Sequence, residues 1–162
     1  MISQKRNSDV TNTVCRKIPL ESPERFTGKR SIIDIKIDFV KYYYNLIADI
    51  KSEEGIRFLG IKDISAMKLM AIANRGDQAK DFIDIYYRLK KMELKDMFEY
   101  YKQKFNQSDI NSIKRNLVYF DDVTESNWLS VKILKGVLPI DNVKQTLIEK
   151  MNDYNKKVIV KI

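Results

Sequence analysis

The sequence predicts an α+β chain, a short N-terminal sheet remnant followed by a mainly helical body, and three observations predict it. Only 5 Gly and 3 Pro stand in 162 residues, too few for the frequent special turns of a β-sandwich or barrel. One run near the front alternates apolar and charged residues, and beyond it apolar residues recur at three- and four-residue spacing, as on amphipathic helices. With 44% hydrophobic and 32% charged residues, the chain has the apolar surface to bury one core, about one domain at this length.

Residues 1–30 mix Asn, Ser, Thr, Lys and Arg with Pro19 and Pro23 and show neither period, so they read as a poorly ordered lead-in. Over residues 31–40, Ile33, Ile35, Ile37 and Phe39 share one parity and Asp34, Lys36 and Asp38 the other, which predicts a half-buried strand. Residues 55–61 read as a second short extended piece. Asp63 then reads as the N-cap of a helix over 64–73, which Asn74, Arg75 and Gly76 stop. Its core stripe is Ile64, Met67 and Ala71, with Lys68 beside it. A second helix over 79–91 turns Phe82, Ile83, Tyr86 and Leu89 inward and leaves Lys80, Asp81 and Asp84 at the opposite edge.

Further helices are predicted over 93–105 (Met97, Tyr100, Tyr101), 108–119 (Ile110, Ile113, Leu117) and 141–155 (Val143, Leu147, Ile148, Met151), with Ser108 and Asp141 as caps. The helical region thus runs over about 63–155. Residues 121–127 read as a loop, and beyond Val123, Trp128 included, packing is the default reading.

Thirty Lys and Arg against 22 Asp and Glu give a net charge of +8. That excess suits an anionic partner such as a nucleotide or RNA, and equally suits solubility alone. The single cysteine, Cys15, excludes an intrachain disulfide, and without histidine neither a zinc site nor a Ser-His or Cys-His catalytic pair can be built. Any metal would be oxygen-bound. No apolar run approaches the roughly 20 residues of a membrane span, and the first residues lack a signal peptide's apolar stretch, so the expectation is a cytoplasmic chain with no membrane partner.

The residues that can carry chemistry are Asp38 on the strand, Lys68 in the first helix, Arg75 at its end, and Lys80, Asp81 and Asp84 in the second. A strand carboxylate holding Mg²⁺ beside a helix lysine that reaches phosphates is the arrangement nucleotide transfer uses. Each residue also has a structural reading. Asp38 can be a solvated strand carboxylate, Lys68 a snorkelling surface lysine, and Lys80 with Asp84 an i,i+4 helix pair. Tyr42-Tyr43-Tyr44 is a secondary candidate for base stacking, weighed against ordinary aromatic packing.

The order of these groups carries a resemblance. Ile37-Asp38-Phe39-Val40, Glu54-Gly55-Ile56-Arg57, the unbroken run 63–76 from Asp63 through Lys68 to Arg75-Gly76, and Lys80-Asp81-Phe82-Ile83-Asp84-Ile85-Tyr86 follow one another. Together they resemble the AbiEii/AbiGii-type nucleotidyltransferase toxins of the DNA polymerase β-like superfamily. The likeness spans about residues 31–122, with Leu117-Val118-Tyr119-Phe120-Asp121-Asp122 as a counterpart at its end. It implies transfer of a nucleotide from an NTP, with Mg²⁺, to an RNA (tRNA in some relatives) or protein acceptor, in a toxin–antitoxin or phage-defence system with a cognate antitoxin. By motif position Asp38 would be the third metal-site carboxylate and catalytic, and Asp81 a catalytic residue, the acidic residue of the Lys-Asp-Phe-Ile-Asp element. Lys68 would contact the triphosphate, with Arg75, Lys80 and Asp84 supporting the pocket. On this reading residues 31–162 are a partial nucleotidyltransferase domain.

The chain departs from the family at its opening motif. A Gly-Gly or Gly-Ser turn followed by an Asp-x-Asp pair supplies the two metals' ligands there, and this sequence has neither: its glycines stand at 28, 55, 60, 76 and 136, and no Asp-x-Asp precedes Asp38. A single strand aspartate cannot bracket two ions, so the expectation is a truncated relative without transfer activity of its own. The alternative is a non-catalytic basic helical module that binds RNA or an antitoxin partner.

Overall fold

The computed structural model describes residues 28–32, 35–39, 41–134 and 136–159, with side chains from Lys41 onward. The chain divides into two compact units, Met1–Tyr43 and Tyr44–Ile162. As expected, the fold is α+β, with short strands first and a mostly helical body after them.

In the first unit β1 (Gly28–Ile32) and β2 (Ile35–Phe39) form an antiparallel pair that closes at Ile32 and Ile35 and sets Lys29 opposite Asp38. The single strand expected over 31–40 is therefore two strands, and β1 starts inside the stretch expected to be lead-in. The apolar parity of Ile33, Ile35, Ile37 and Phe39 carries no signal that would divide the run into two strands.

The second unit opens with a small hairpin, β3 (Lys51–Glu53) and β4 (Ile56–Phe58), with all six residues exposed. Among the described residues six helices follow: α1 (Ile61–Asn74), α2 (Ala79–Leu89), α3 (Leu94–Phe105), α4 (Asn111–Asn116), α5 (Glu125–Ser130) and α6 (Ile140–Ile159). α1 packs on α2, α3 and α4; α6 covers α2 and α3, and α5 rests on α2. Leu69, Ile72, Phe82, Ile85, Met97, Phe98, Ile113, Leu117, Val143 and Leu147 are fully buried where these helices meet. Each such side chain stabilises the fold by about 1.5–3 kcal/mol relative to exposure.

Several local expectations are corrected. α1 begins at Ile61 with Gly60 as its N-cap, so Asp63 lies inside the helix and caps nothing. A tertiary role takes its carboxylate instead, as described below. Gly60 is required there, because a Cβ at that position would stand 2.7 Å from the Ala48 Cβ. The buried face of α1 is Ser65, Ala66, Leu69 and Ile72, while Ile64, Met67 and Ala71 are half-buried. This helix is apolar around most of its circumference, and periodicity then selects no single face.

α2 buries Phe82, Ile83, Tyr86 and Leu89 as predicted. α4 has only six residues rather than twelve: Ile110 takes the cap position, Asp109 Oδ1 accepts the Asn111 N–H at 2.9 Å, and Ser108 stays outside. α5 begins within the stretch read as loop, because Thr124 Oγ1 accepts the Asn127 N–H at 3.2 Å, and a six-residue helix is too short to show a period. α6 starts at Ile140 and places Asp141 in its first turn, where it complements the helix dipole. Val143, Leu147 and Met151 are buried as expected, whereas Ile148 is exposed.

Candidate functional site

The α1–α2 turn gathers four of the six predicted site residues. α1 ends at Asn74, and Gly76, with φ +58°, supplies the left-handed residue that turns the chain toward α2. Both ends of this turn are held by asparagines from elsewhere. Asn116 Nδ2 donates to the Ala73 carbonyl at 3.1 Å, and Asn127 Oδ1 accepts the Ala79 N–H at 2.7 Å. Gln78, the N-cap of α2, makes no side-chain cap of its own, so Asn127 caps α2 across 48 residues of sequence.

This fixed turn brings Lys68, near the middle of α1, against the start of α2. Lys68 Nζ donates to Asp81 Oδ1 at 2.7 Å and pairs with Asp84 Oδ2 at 2.6 Å. Arg75 reaches the second oxygen of Asp81 at 3.4 Å and lies 3.9 Å from Asp77. Asp81 is almost wholly buried, its side chain 4% exposed, rather than at the opposite edge of α2; Lys68 is 26% exposed, Asp84 45% and Arg75 54%. The cluster therefore grades from a buried carboxylate to open cations. Burial by itself lowers the Lys68 pKa, but the hydrogen bonds and charges of Asp81 and Asp84 outweigh it and raise the ammonium above the ordinary lysine value.

Lys80 stands exposed in the first turn of α2, and no described residue pairs with it. Asp38 lies on β2 in the other unit, and its side chain is outside those described. Arg88 is an addition that the sequence reading missed. Its Nε is buried with no hydrogen-bond partner among the described residues, and burial lowers its pKa against the opposing charge of Asp84. The signal was present in the i,i+4 spacing from Asp84 to Arg88.

A second ionic pair was also missed. Lys104 Nζ donates to Asp63 Oδ1 at 2.5 Å, both side chains being 0% exposed. The backbone N–H groups of Ile47 and Ala48 donate to the same carboxylate at 3.1 and 3.0 Å, and Lys104 also donates to the Asn45 carbonyl at 3.1 Å. Burial pushes the Asp63 carboxyl up, yet the Lys104 hydrogen bond and charge and the two N–H groups together hold it below the ordinary carboxylate value. Here the signal was a lysine on the apolar stripe of α3, in step with Leu94, Met97, Phe98 and Tyr101.

As a metal site the donors do not fit. Among the described residues no group of three carboxylate or thiol ligands converges, and one oxygen each of Asp81 and Asp84 is engaged by the Lys68 ammonium. Chemically the cluster offers cationic donors to an anion instead. Lys68 has three N–H donors and gives two to carboxylates; Arg75 has five and gives one to Asp81. The remaining donors are not used by these carboxylates and are of the kind that suits phosphate oxygens.

The chain is similar to Uncharacterized protein aq_aa25 of Aquifex aeolicus (strain VF5), with 38% identity over 102 residues, 60% of this chain and 49% of that protein. It thus spans about half the length of that curated relative. No family model and no solved structure matches.

Proposed function

We propose that the second unit is the nucleotide-holding part of an AbiEii-type nucleotidyltransferase, with Lys68 and Arg75 receiving phosphate oxygens of an NTP. The observation that supports this most is the convergence of two cations on one buried carboxylate, Asp81, with Asp84 as second partner to Lys68. The carboxylates keep Lys68 charged and hold both cations in place, and the donors they do not use remain available. An exposed surface ion pair has no need of a buried carboxylate at its centre.

The formal charges of Lys68, Arg75, Asp81 and Asp84 cancel, so these four residues do not neutralise a triphosphate. On this reading its charge is offset by a cation carried on the phosphates, the role the resemblance gives to Mg²⁺, and the Asp-x-Asp carboxylates of the family's transfer centre, which this sequence lacks, are supplied from elsewhere. The chain alone then holds nucleotide without transferring it. Together with such carboxylates it serves transfer to an RNA, tRNA included, or a protein acceptor, as part of a toxin held by a cognate antitoxin.

Isothermal titration of the full chain with each Mg²⁺·NTP tests the reading. Saturable binding of at least one nucleotide is expected, abolished by Lys68→Met and kept within a few-fold by Lys68→Arg. Failure of all four nucleotides to bind, or unchanged binding to a folded Lys68→Met chain, overturns it.

A further inference from the structure

A groove unrelated to the Lys68 cluster lies where the α2–α3 connection meets the C-terminal half of α6. Two adjoining cavities of about 320 and 500 Å³ share Glu93, Lys95, Tyr154 and Lys157. Apolar side chains line both: Leu89, Met92 and Leu94 in the first cavity, the two leucines nearly buried, and Val158 in the second. Five lysines line the pair against three acids. One of those acids, Glu93, is engaged by Lys157 at 3.5 Å and leaves the start of α3 without a side-chain cap. The unpaired first-turn N–H groups of a twelve-residue helix add to the positive field at this end.

An apolar lining under a basic rim selects an occupant that is apolar at its centre and acidic at its flanks. Nucleic acid offers no aliphatic anchor and binds such surfaces by stacking bases on open rings. The aromatic ring lining the groove, Tyr154, is already engaged: Phe98 meets it at 4.9 Å and 78°, and Lys114 lies 5.1 Å from its centroid. We propose that this groove binds an acidic peptide segment of a partner protein. One aliphatic side chain enters the cavity over Leu94, and carboxylates on either side meet Lys95, Lys150 and Lys157.

The probe is the hexapeptide Glu-Glu-Leu-Leu-Glu-Glu, titrated into the isotopically labelled full chain and followed by amide chemical shifts. Saturating shifts are expected at residues 89–95 and 150–158, with affinity falling at least tenfold when the two leucines are replaced by glycine. A similar loss is expected for the Lys95→Glu/Lys157→Glu double variant, whose two positions are exposed and whose thermal midpoint should stay unchanged. Shifts that map elsewhere, equal affinity for the glycine peptide, indifference to the double variant, or equally tight binding of a hexanucleotide RNA would each overturn the proposal.

Discussion

Asp63 and Lys68 stand five residues apart on α1, and each carries an ion network, yet the two networks are built to opposite ends. Asp63 and Lys104 are closed off entirely, with two backbone N–H groups on the carboxylate and a backbone carbonyl on the ammonium. This pair ties segment 45–48 to α1 and α3. Around Lys68 the exposure rises from Asp81 outward to Asp84 and Arg75, and donors are left over. A sealed pair is closed to any ligand, whereas a graded one can exchange part of its partnership for one. The difference lies in the surroundings, since the ions are chemically the same.

Breaking the sealed pair should have the largest effect. Asp63→Asn or Lys104→Met strands a buried charge and should cost about 3–5 kcal/mol in urea denaturation. The double variant should lose less than the sum of the two, since no lone charge remains. Single losses under about 1 kcal/mol, the range of exposed pairs, would erase the contrast between the networks.

The same contrast predicts two limbs in the pH dependence of stability. Asp63 is depressed in the folded state, so its contribution is present above the unfolded carboxylate value, about 3.9, and is lost as pH falls through the lower folded value. Lys68 is raised, so its contribution is full below about 10.4 and is lost as pH rises through the higher folded value. Denaturation curves against pH should show Asp63→Asn flattening the acid limb and Lys68→Met the alkaline limb, each leaving the other in place.

Smaller effects sharpen the account of the turn that presents Lys68. Asn127→Ala removes the cap on Ala79 and should cost about 0.5–2 kcal/mol by thermal or urea denaturation. Asp84→Asn, at a half-exposed position, should cost no more than about 1 kcal/mol. An Asn127→Ala change without effect on stability would mean that α2 is held by packing alone.

The sequence carried the helices best where one face is apolar and the other charged. Phe82, Ile83, Tyr86 and Leu89 on α2, and Val143, Leu147 and Met151 on α6, lie where the period put them. It carried least where local chemistry serves a distant partner. Asp63 has every local feature of a cap, but its partners come from residues 47, 48 and 104, and no local pattern contains them. Of the candidate site, the order of Lys68, Arg75, Asp81 and Asp84 was legible, while the burial of Asp81 was not, because it depends on how α1 crosses α2. The asparagines that fix the turn were invisible for the same reason.

The most direct measurement is calorimetric titration of Mg²⁺·NTPs into the wild-type chain and into Lys68→Met, with Lys104→Arg as a control for general loss of stability. Saturable binding of at least one nucleotide is expected, abolished by Lys68→Met and retained by any Lys104→Arg chain that stays folded. Binding that ignores Lys68, or no binding to the wild-type chain, would contradict this reading.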